Sequence, residues 1–281
     1  MNVRRWAQSA CLGVGAAALA AGATLAATTP APAPAAAAAT PVAKAAAPRK
    51  KHKKAYPAQA SFVEPAATAA LTRMSNYLRT VPTFVVKTET ERDEVDDFGQ
   101  LLTFDGEVTY KVKKPDNLTL DATQGATTRS YIYDGKSVTQ YDPATGFYAR
   151  FDAAPTIGQT LELAATQYGI DIPLYDLFQW GQGNDNLGAL TSAHYVGSSK
   201  VNGQDADQYS FRQPGVDWQI WIAKGDKPLP LRVIIVASDD PARPQFESTL
   251  TWDTAPTFAA DTFTFTPPAN AKQIQIKPSA Q

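Results

Sequence analysis

Residues 129–142 read RSYIYDGKSVTQYD. RSYIYD and SVTQYD each alternate in part between apolar and polar residues and are rich in Tyr, Ile, Val and Thr, the types that fit a pleated, half-buried surface. Between them stands Asp134-Gly135, a pair suited to a tight hairpin because the central residues of such a turn need positive φ, which Gly and Asp tolerate. The stretch is an antiparallel hairpin, and the chain on either side repeats its pattern. Upstream lie FVVKTETE (84–91), EVTYKV (107–112) and NLTLDA (117–122), with Asp105-Gly106 as a second turn of the same kind. Downstream, AHYVGSS (193–199) and DQYSFR (207–212) meet across Asn202-Gly203, followed by DWQIWIA (217–223), PLRVIIVA (230–237), FESTLTW (246–252) and TFTFT (262–266). Ten or eleven strands in about 210 residues, without βαβ alternation or an internal repeat, predict a mainly β (α+β) fold built on one large, curved antiparallel sheet.

Two helices accompany the strands. Ala67, Ala70, Leu71, Met74 and Leu78 recur at helical spacing, opened either by a Ser61/Glu64 capping box or by Pro65 as the first helical residue, and Pro82 ends the run. Further on, Thr156 with Gln159 forms a second capping-box pattern. Ile157, Leu161, Ala164 and Tyr168 make one apolar face, and Gly169 is placed to end that helix. Pro173 then opens a short apolar turn, PLYDLFQW.

Several strands are apolar on both faces: Ile132 sits between two tyrosines, Tyr148 between Phe147 and Ala149, Trp221 between Ile220 and Ile222, and Ile234 between Val233 and Ile235. Two arrangements satisfy this pattern, central strands covered on both sides or a concave sheet that keeps an apolar cavity for a hydrophobic ligand. Periodicity alone leaves both open.

The 281 residues, 44% hydrophobic and 19% charged, are unevenly composed. Eight basic and no acidic residues precede Pro57, against 18 basic and 27 acidic after it, so the near-neutral total joins a basic arm to an acidic globular part. Met1 to Trp6 carries Arg4 and Arg5, and the uncharged run from Ala10 to Ala27 is Ala-dominated and ends among small residues, the pattern of a cleaved secretory signal over 1–27. Its competing reading, a permanent membrane anchor, asks a short Ala-rich run to span a hydrocarbon core of about 30 Å. Residues 28–60 are an Ala/Pro-rich tether without apolar periodicity. Its cluster Arg49, Lys50, Lys51, Lys53, Lys54 is either a solvated linker or a weak electrostatic contact with an anionic membrane. The folded part spans 61–270 and a tail 271–281.

The composition excludes several classes. The acidic folded part argues against nucleic acid as a partner. Cys11 is the only cysteine and falls in the export signal, which removes both a disulfide framework and a thiol nucleophile from the mature chain. Two histidines, His52 in the tether and His194 in a strand, cannot assemble a His-rich zinc site, no Gly-x-Ser-x-Gly elbow occurs, and no cofactor is implied. Asp205 and Asp207 alternate onto one strand face, the remaining route to a carboxylate hydrolase, but they flank a hairpin. Glu94, Asp96 and Asp97 lack the regular oxygen-ligand spacing of a calcium loop. Gly181, Gly183 and Gly188 lack the strand-loop-helix context of a phosphate cradle. Asp105, Asp134 and Asp142 read as turn residues.

KKPDNLTLDAT (113–123), YIYDGKSVTQYDPATGFYARF (131–151), YGIDIPLYDLF (168–178), KPLPLRVII (227–235) and DTFTFTPP (261–268) together resemble a family of uncharacterised periplasmic proteins, the domain of unknown function DUF2092, itself similar in fold to the lipoprotein carriers LolA and LolB. The carriers often have Arg-Pro-x-Arg-Leu where this chain has Lys114, Pro115, Asp116, Asn117, Leu118. The resemblance implies an incomplete β-barrel closed by helices, with an apolar cavity that shelters acyl chains. Tyr110, Leu118, Leu120, Tyr131, Tyr133, Trp218, Ile220 and Trp221 are then the candidate cavity residues. The expected function is a non-enzymatic binding protein in the periplasm of a Gram-negative bacterium, holding a lipid, an acyl chain or a lipoprotein-like ligand. A sensor or interaction module with a periplasmic or membrane protein partner is the second reading, and a hydrolase the third.

Overall fold

A computed structural model describes residues 62–170, 172–179 and 187–278. The export signal with Cys11, the tether with its basic cluster, Ser61, and Gly181 and Gly183 lie outside the described residues. In chain order the elements are β1 (Phe62–Val63), α1 (Pro65–Thr80), β2 (Thr83–Val95), β3 (Leu101–Lys113), β4 (Asn117–Gln124), β5 (Thr127–Asp134), β6 (Ser137–Asp142), β7 (Phe147–Asp152), α2 (Ile157–Tyr168), α3 (Asp176–Gln179), a 3-10 turn (Leu187–Ala189), β8 (Ser192–Val201), β9 (Gln204–Gln213), β10 (Val216–Ala223), β11 (Pro230–Ala237), β12 (Gln245–Asp253) and β13 (Lys272–Ile274). All 13 strands belong to one sheet in the order β1-β8-β9-β10-β11-β12-β2-β3-β4-β5-β6-β7-β13. It is built from two antiparallel meanders, β2 to β7 and β8 to β12, joined where β12 pairs with β2. Among the described residues no ladder connects β1 to β13, so the curved sheet is open, an incomplete barrel.

The local signals explain most of these elements. Pro65 stands at the start of α1, where its missing N–H costs nothing. The Glu64 carboxylate caps no helix N–H and instead accepts the backbone N–H of Tyr195 at 2.8 Å. Thr156 caps α2 by accepting the N–H of Gln159, and Gly169 ends it with a left-handed φ of 64°. Asn202 and Gly203 both take positive φ, 49° and 80°, as a type I′ hairpin requires. At Asp134-Gly135 the turn forms one residue later than read. Gly135 alone has positive φ, 89°, and Asp134 precedes the turn, its carboxylate accepting the N–H groups of Lys136 and Ser137 at 2.9 and 2.8 Å. Partial burial works to raise that carboxyl's pKa, but these two bonds hold it below the usual carboxylate range.

Two expectations are corrected. Asp105-Gly106 is not a turn: it lies inside β3, opposite Glu91 and Thr90. Glycine is there because a Cβ would meet Thr123 O and Thr90 Oγ1 at 3.0 Å. The hairpin instead turns over Asp96–Gln100, where Asp96 accepts the N–H groups of Phe98 and Gln100 at 2.9 and 2.7 Å and Gly99 takes a φ of 78°. TFTFT forms no strand either. That segment crosses the outer face with Phe265 packed against Tyr141 and Tyr148, ring centroids 5.2 Å from each, and with Thr262 O accepting the Thr119 hydroxyl at 2.8 Å. The last strand lies further on, at Lys272–Ile274, parallel to β7.

The ladders fix which side chains share a face. Phe84 and Val86 stand opposite Val112 and Tyr110, these opposite Leu118 and Leu120, and these opposite Tyr133 and Tyr131. In the second meander Phe211 faces Trp218, Trp218 faces Ile235 and Ile235 faces Phe246. All belong to one buried cluster with Ala67, Leu71, Met74 and Leu78 of α1 and Ile157, Leu161 and Ala164 of α2. This is the inner face. A second, smaller cluster of Val201, Ala206, Trp221, Ala223 and Leu231 occupies the outer face. Of the two arrangements that the sequence left open, the strands between the two clusters show the first, being covered on both sides, and the inner face is closed by helices.

Candidate functional site

The first meander and α2 enclose a small cavity lined by Leu118, Tyr131, Tyr133, Val138 and Phe151 from the sheet and by Ile157, Leu161 and Ala164 from the helix. Its volume is about 10 Å³, room for one water at most. Polar groups hold α2 over it from both ends. The Tyr133 hydroxyl donates to Ala154 O at 2.6 Å, just before α2, and the Tyr110 hydroxyl donates to Pro173 O, just after it. Ala154 O also accepts the Thr160 hydroxyl at 3.0 Å, and Ile157 N–H donates to Pro115 O at 2.9 Å. Phe178 of α3 lies against Phe84 and Tyr110, at centroid distances of 6.4 and 5.9 Å, and Phe151 against Tyr168 at 4.4 Å. Burial pushes the Tyr110 phenol well above its usual pKa and those of Tyr131 and Tyr133 upward, so all three stay neutral through the physiological range.

Lys114, the basic residue of the Lys-Pro-x-x-Leu run, works at α1. Its ammonium donates to Leu78 O at 2.6 Å and sits 5.7 Å from the Phe84 ring centre. A cation at a helix C-terminus complements the unpaired carbonyls there. Desolvation lowers the pKa of this half-buried amine.

Seven of the eight candidate residues share the inner face. Leu118, Tyr131 and Tyr133 line the cavity, Tyr110 and Leu120 lie in the same core, and Trp218 and Ile220 stand on the second meander. Trp221 does not join them. It follows Ile220 directly, and a two-residue period sends neighbours to opposite faces, so its ring packs outward under the Arg232 guanidinium at 4.9 Å. The sequence reading missed Val138, Phe151 and the α2 residues as cavity walls, although it had identified Ile157, Leu161 and Ala164 as one apolar face.

The carboxylates that the sequence offered for chemistry are engaged separately. Asp205 pairs with Lys200 at 2.7 Å, and that bond lowers its pKa. Asp207 accepts the Ser198 hydroxyl at 2.7 Å and pairs with Lys224 at 3.2 Å; partial burial opposes these contacts, yet its pKa is lowered. Both are ionised near neutrality. His194 is exposed on β8, opposite Ser210. Among the described residues no group of His, Cys, Asp and Glu side chains could hold a metal ion. Five exposed apolar residues gather at the end of the β2–β3 hairpin: Val95, Leu101, Leu102, Phe104 and, 95% exposed at the tip, Phe98.

An open antiparallel half-barrel with an apolar inner face under helices is the class that this geometry defines. Residues 67–277 match the family model DUF2092, described as a predicted periplasmic protein, and the chain belongs to that family. No curated protein matches the sequence. Solved structures with a similar course of chain include an uncharacterized conserved protein from Thermus thermophilus, 12% identical over 75% of this chain and 99% of that one with a TM-score of 0.42. They also include the lipoprotein LppX of Mycobacterium tuberculosis, 13% identical over 69% of this chain and 98% of its own with a TM-score of 0.38. A LolA superfamily protein from Nitrosomonas europaea is 10% identical over 71% of this chain and 97% of its own, with a TM-score of 0.36.

Proposed function

We propose that the protein is exported to the periplasm and shelters an acyl chain, from a lipid or a lipoprotein-like ligand, against the inner face of its half-barrel, without bond chemistry. The observation that carries this reading is the continuous apolar inner face under α2, where the hydroxyls of Tyr110, Tyr133 and Thr160 are engaged with backbone carbonyls. The described form is closed. A bound chain takes the place now filled by Ile157, Leu161 and Ala164, and α2 moves outward to admit it. A dozen methylenes leaving water contribute about 10 kcal/mol at roughly 0.8 kcal/mol each, enough to offset opening and association costs and leave useful affinity. The test is protein purified from its native periplasm, extracted and analysed for acyl lipids by mass spectrometry, together with melting curves in the presence of fatty acids and lipopeptides. Co-purifying lipid and a raised melting temperature are expected. An empty protein with no shift removes the reading.

The apolar end of the β2–β3 hairpin favours a second reading, an interaction module that docks this knob into a partner protein. Phe98→Ser would then leave the melting temperature unchanged, since the ring is exposed, and abolish photo-crosslinking from neighbouring hairpin positions in native periplasm.

A further inference from the structure

Among the described residues, three buried side-chain polar atoms have no hydrogen-bond partner: Trp218 Nε1, Ser248 Oγ and Arg232 Nε. Arg232 is otherwise engaged, pairing with Glu247 at 2.6 Å and lying over Trp221 on the outer face. Trp218 and Ser248 differ, because the lone indole N–H and the lone hydroxyl are their only polar side-chain groups and both point to the inner face. Buried polar groups without partners are rare and costly, so two on one face call for an explanation.

The ladders place them two strands apart, offset by one inward-facing pair. Trp218 on β10 faces Ile235 on β11, and Ser248 on β12 faces Val233 on β11, so only β11 separates them, and it offers only aliphatic side chains on this face. The indole ring is stacked on Phe211, centroids 4.2 Å apart and planes within 18°. Thr88, buried on the same face, is satisfied by Val108 O at 3.3 Å; Ser248 has no such bond. An indole N–H can only donate, and a hydroxyl can donate, so the complementary group is an acceptor oxygen. The adjacent cation on these rows, Arg92 opposite Phe246, is paired with Glu94. A carboxylate here would therefore be a buried charge without a counter-ion, whereas a neutral carbonyl suits the site.

We infer that Trp218 Nε1–H and Ser248 Oγ–H receive the ester or amide carbonyl oxygens of an acyl lipid bound on the inner face. The site thus selects acylated ligands over ethers and plain hydrocarbon. This rests on the acyl-sheltering function proposed above and adds the residues that read the ligand's linkage.

The experiment compares two probes with the same chain and head, 1-monolauroylglycerol and 1-O-dodecylglycerol, which differ only in the carbonyl, titrated calorimetrically into the full chain. The ester is expected to bind about five- to thirtyfold more tightly, the effect of one or two net hydrogen bonds. Trp218→Phe and Ser248→Ala should each shrink that ratio towards one by weakening the ester more than the ether, and Ser248→Ala, which removes an unpartnered hydroxyl without opening a large cavity, should keep or raise the melting temperature. With 15N-labelled indole, the Trp218 Nε1–H resonance should move with the ester and not with the ether. Equal affinity for the two probes in wild type, or a ratio unaltered in both variants, overturns the inference while leaving the sheltering function standing. Failure of both probes to bind overturns the two together.

Discussion

Tyr110 and Tyr133 carry hydroxyls into an apolar interior and use them on the carbonyls that flank α2. Because burial raises the pKa values of Tyr110, Tyr131, Tyr133 and Tyr209, the folded chain keeps phenolic protons that the unfolded chain has released once the pH passes the ordinary value of 10.0. Their contribution to stability is thus complete below that pH and is lost as the pH rises above it. Lys114 acts with the opposite sign, its buried charge being relieved as the pH climbs through its lowered pKa, but it is one group against four. Urea midpoints measured at pH 8 and pH 11 should therefore show a clear loss at the higher value. Tyr110→Phe should cost about 1 kcal/mol at pH 8, the usual worth of a hydrogen bond, and make the alkaline loss shallower. If the variant's alkaline loss equals that of wild type, the buried phenol is not its source.

At the scale of elements, α2 is the cover of the cavity, and Leu161 is its central contact. Leu161→Ala should destabilise the protein by about 3 kcal/mol and enlarge a dry apolar cavity. A small apolar molecule such as benzene should then raise the melting temperature of the variant and not that of wild type. The helix itself was legible from sequence, since its cap Thr156, its face and its terminating Gly169 are all local signals. What sequence reading missed depends on distant partners. Asp105-Gly106 carries the local chemistry of a turn, but its role is set by Thr90 and Thr123 approaching from neighbouring strands, and the real turn was hidden by the apolar Phe98. TFTFT alternates like a strand, yet it meets side chains, Tyr141 and Tyr148, instead of a backbone edge. Of the eight candidate residues, chosen for bulk on the strands, seven stand on the inner face. Trp221 was misplaced because size was weighed without the parity that its neighbour Ile220 already imposed.

At the scale of the molecule, the sheet's two outer ladders are parallel and very short, β1 on β8 and β13 on β7, in an otherwise antiparallel array. Each occupies an edge that would otherwise present unpaired backbone groups to another chain. Removing residues 272–281 should expose the edge of β7 from Phe147 to Ala149 and produce concentration-dependent association by light scattering, with little change in far-ultraviolet circular dichroism. A truncated chain that stays monomeric at high concentration would show that β13 has no protective role.

The β1 ladder also has a mechanical meaning. Tension on the chain ahead of Phe62 enters the domain along β1, where Phe62 N–H donates to Thr191 O at 3.2 Å and Glu64 N–H to Ala193 O at 2.8 Å, with the Glu64 carboxylate on Tyr195 N–H at 2.8 Å. Bonds lying across the direction of pull in a parallel pair share the load in shear instead of opening one after another. Behind them the β8–β9 ladder runs for nine residue pairs. A pull strong enough to part β1 would free a few residues and leave the half-barrel intact, so the short ladder would act as a fuse ahead of the domain.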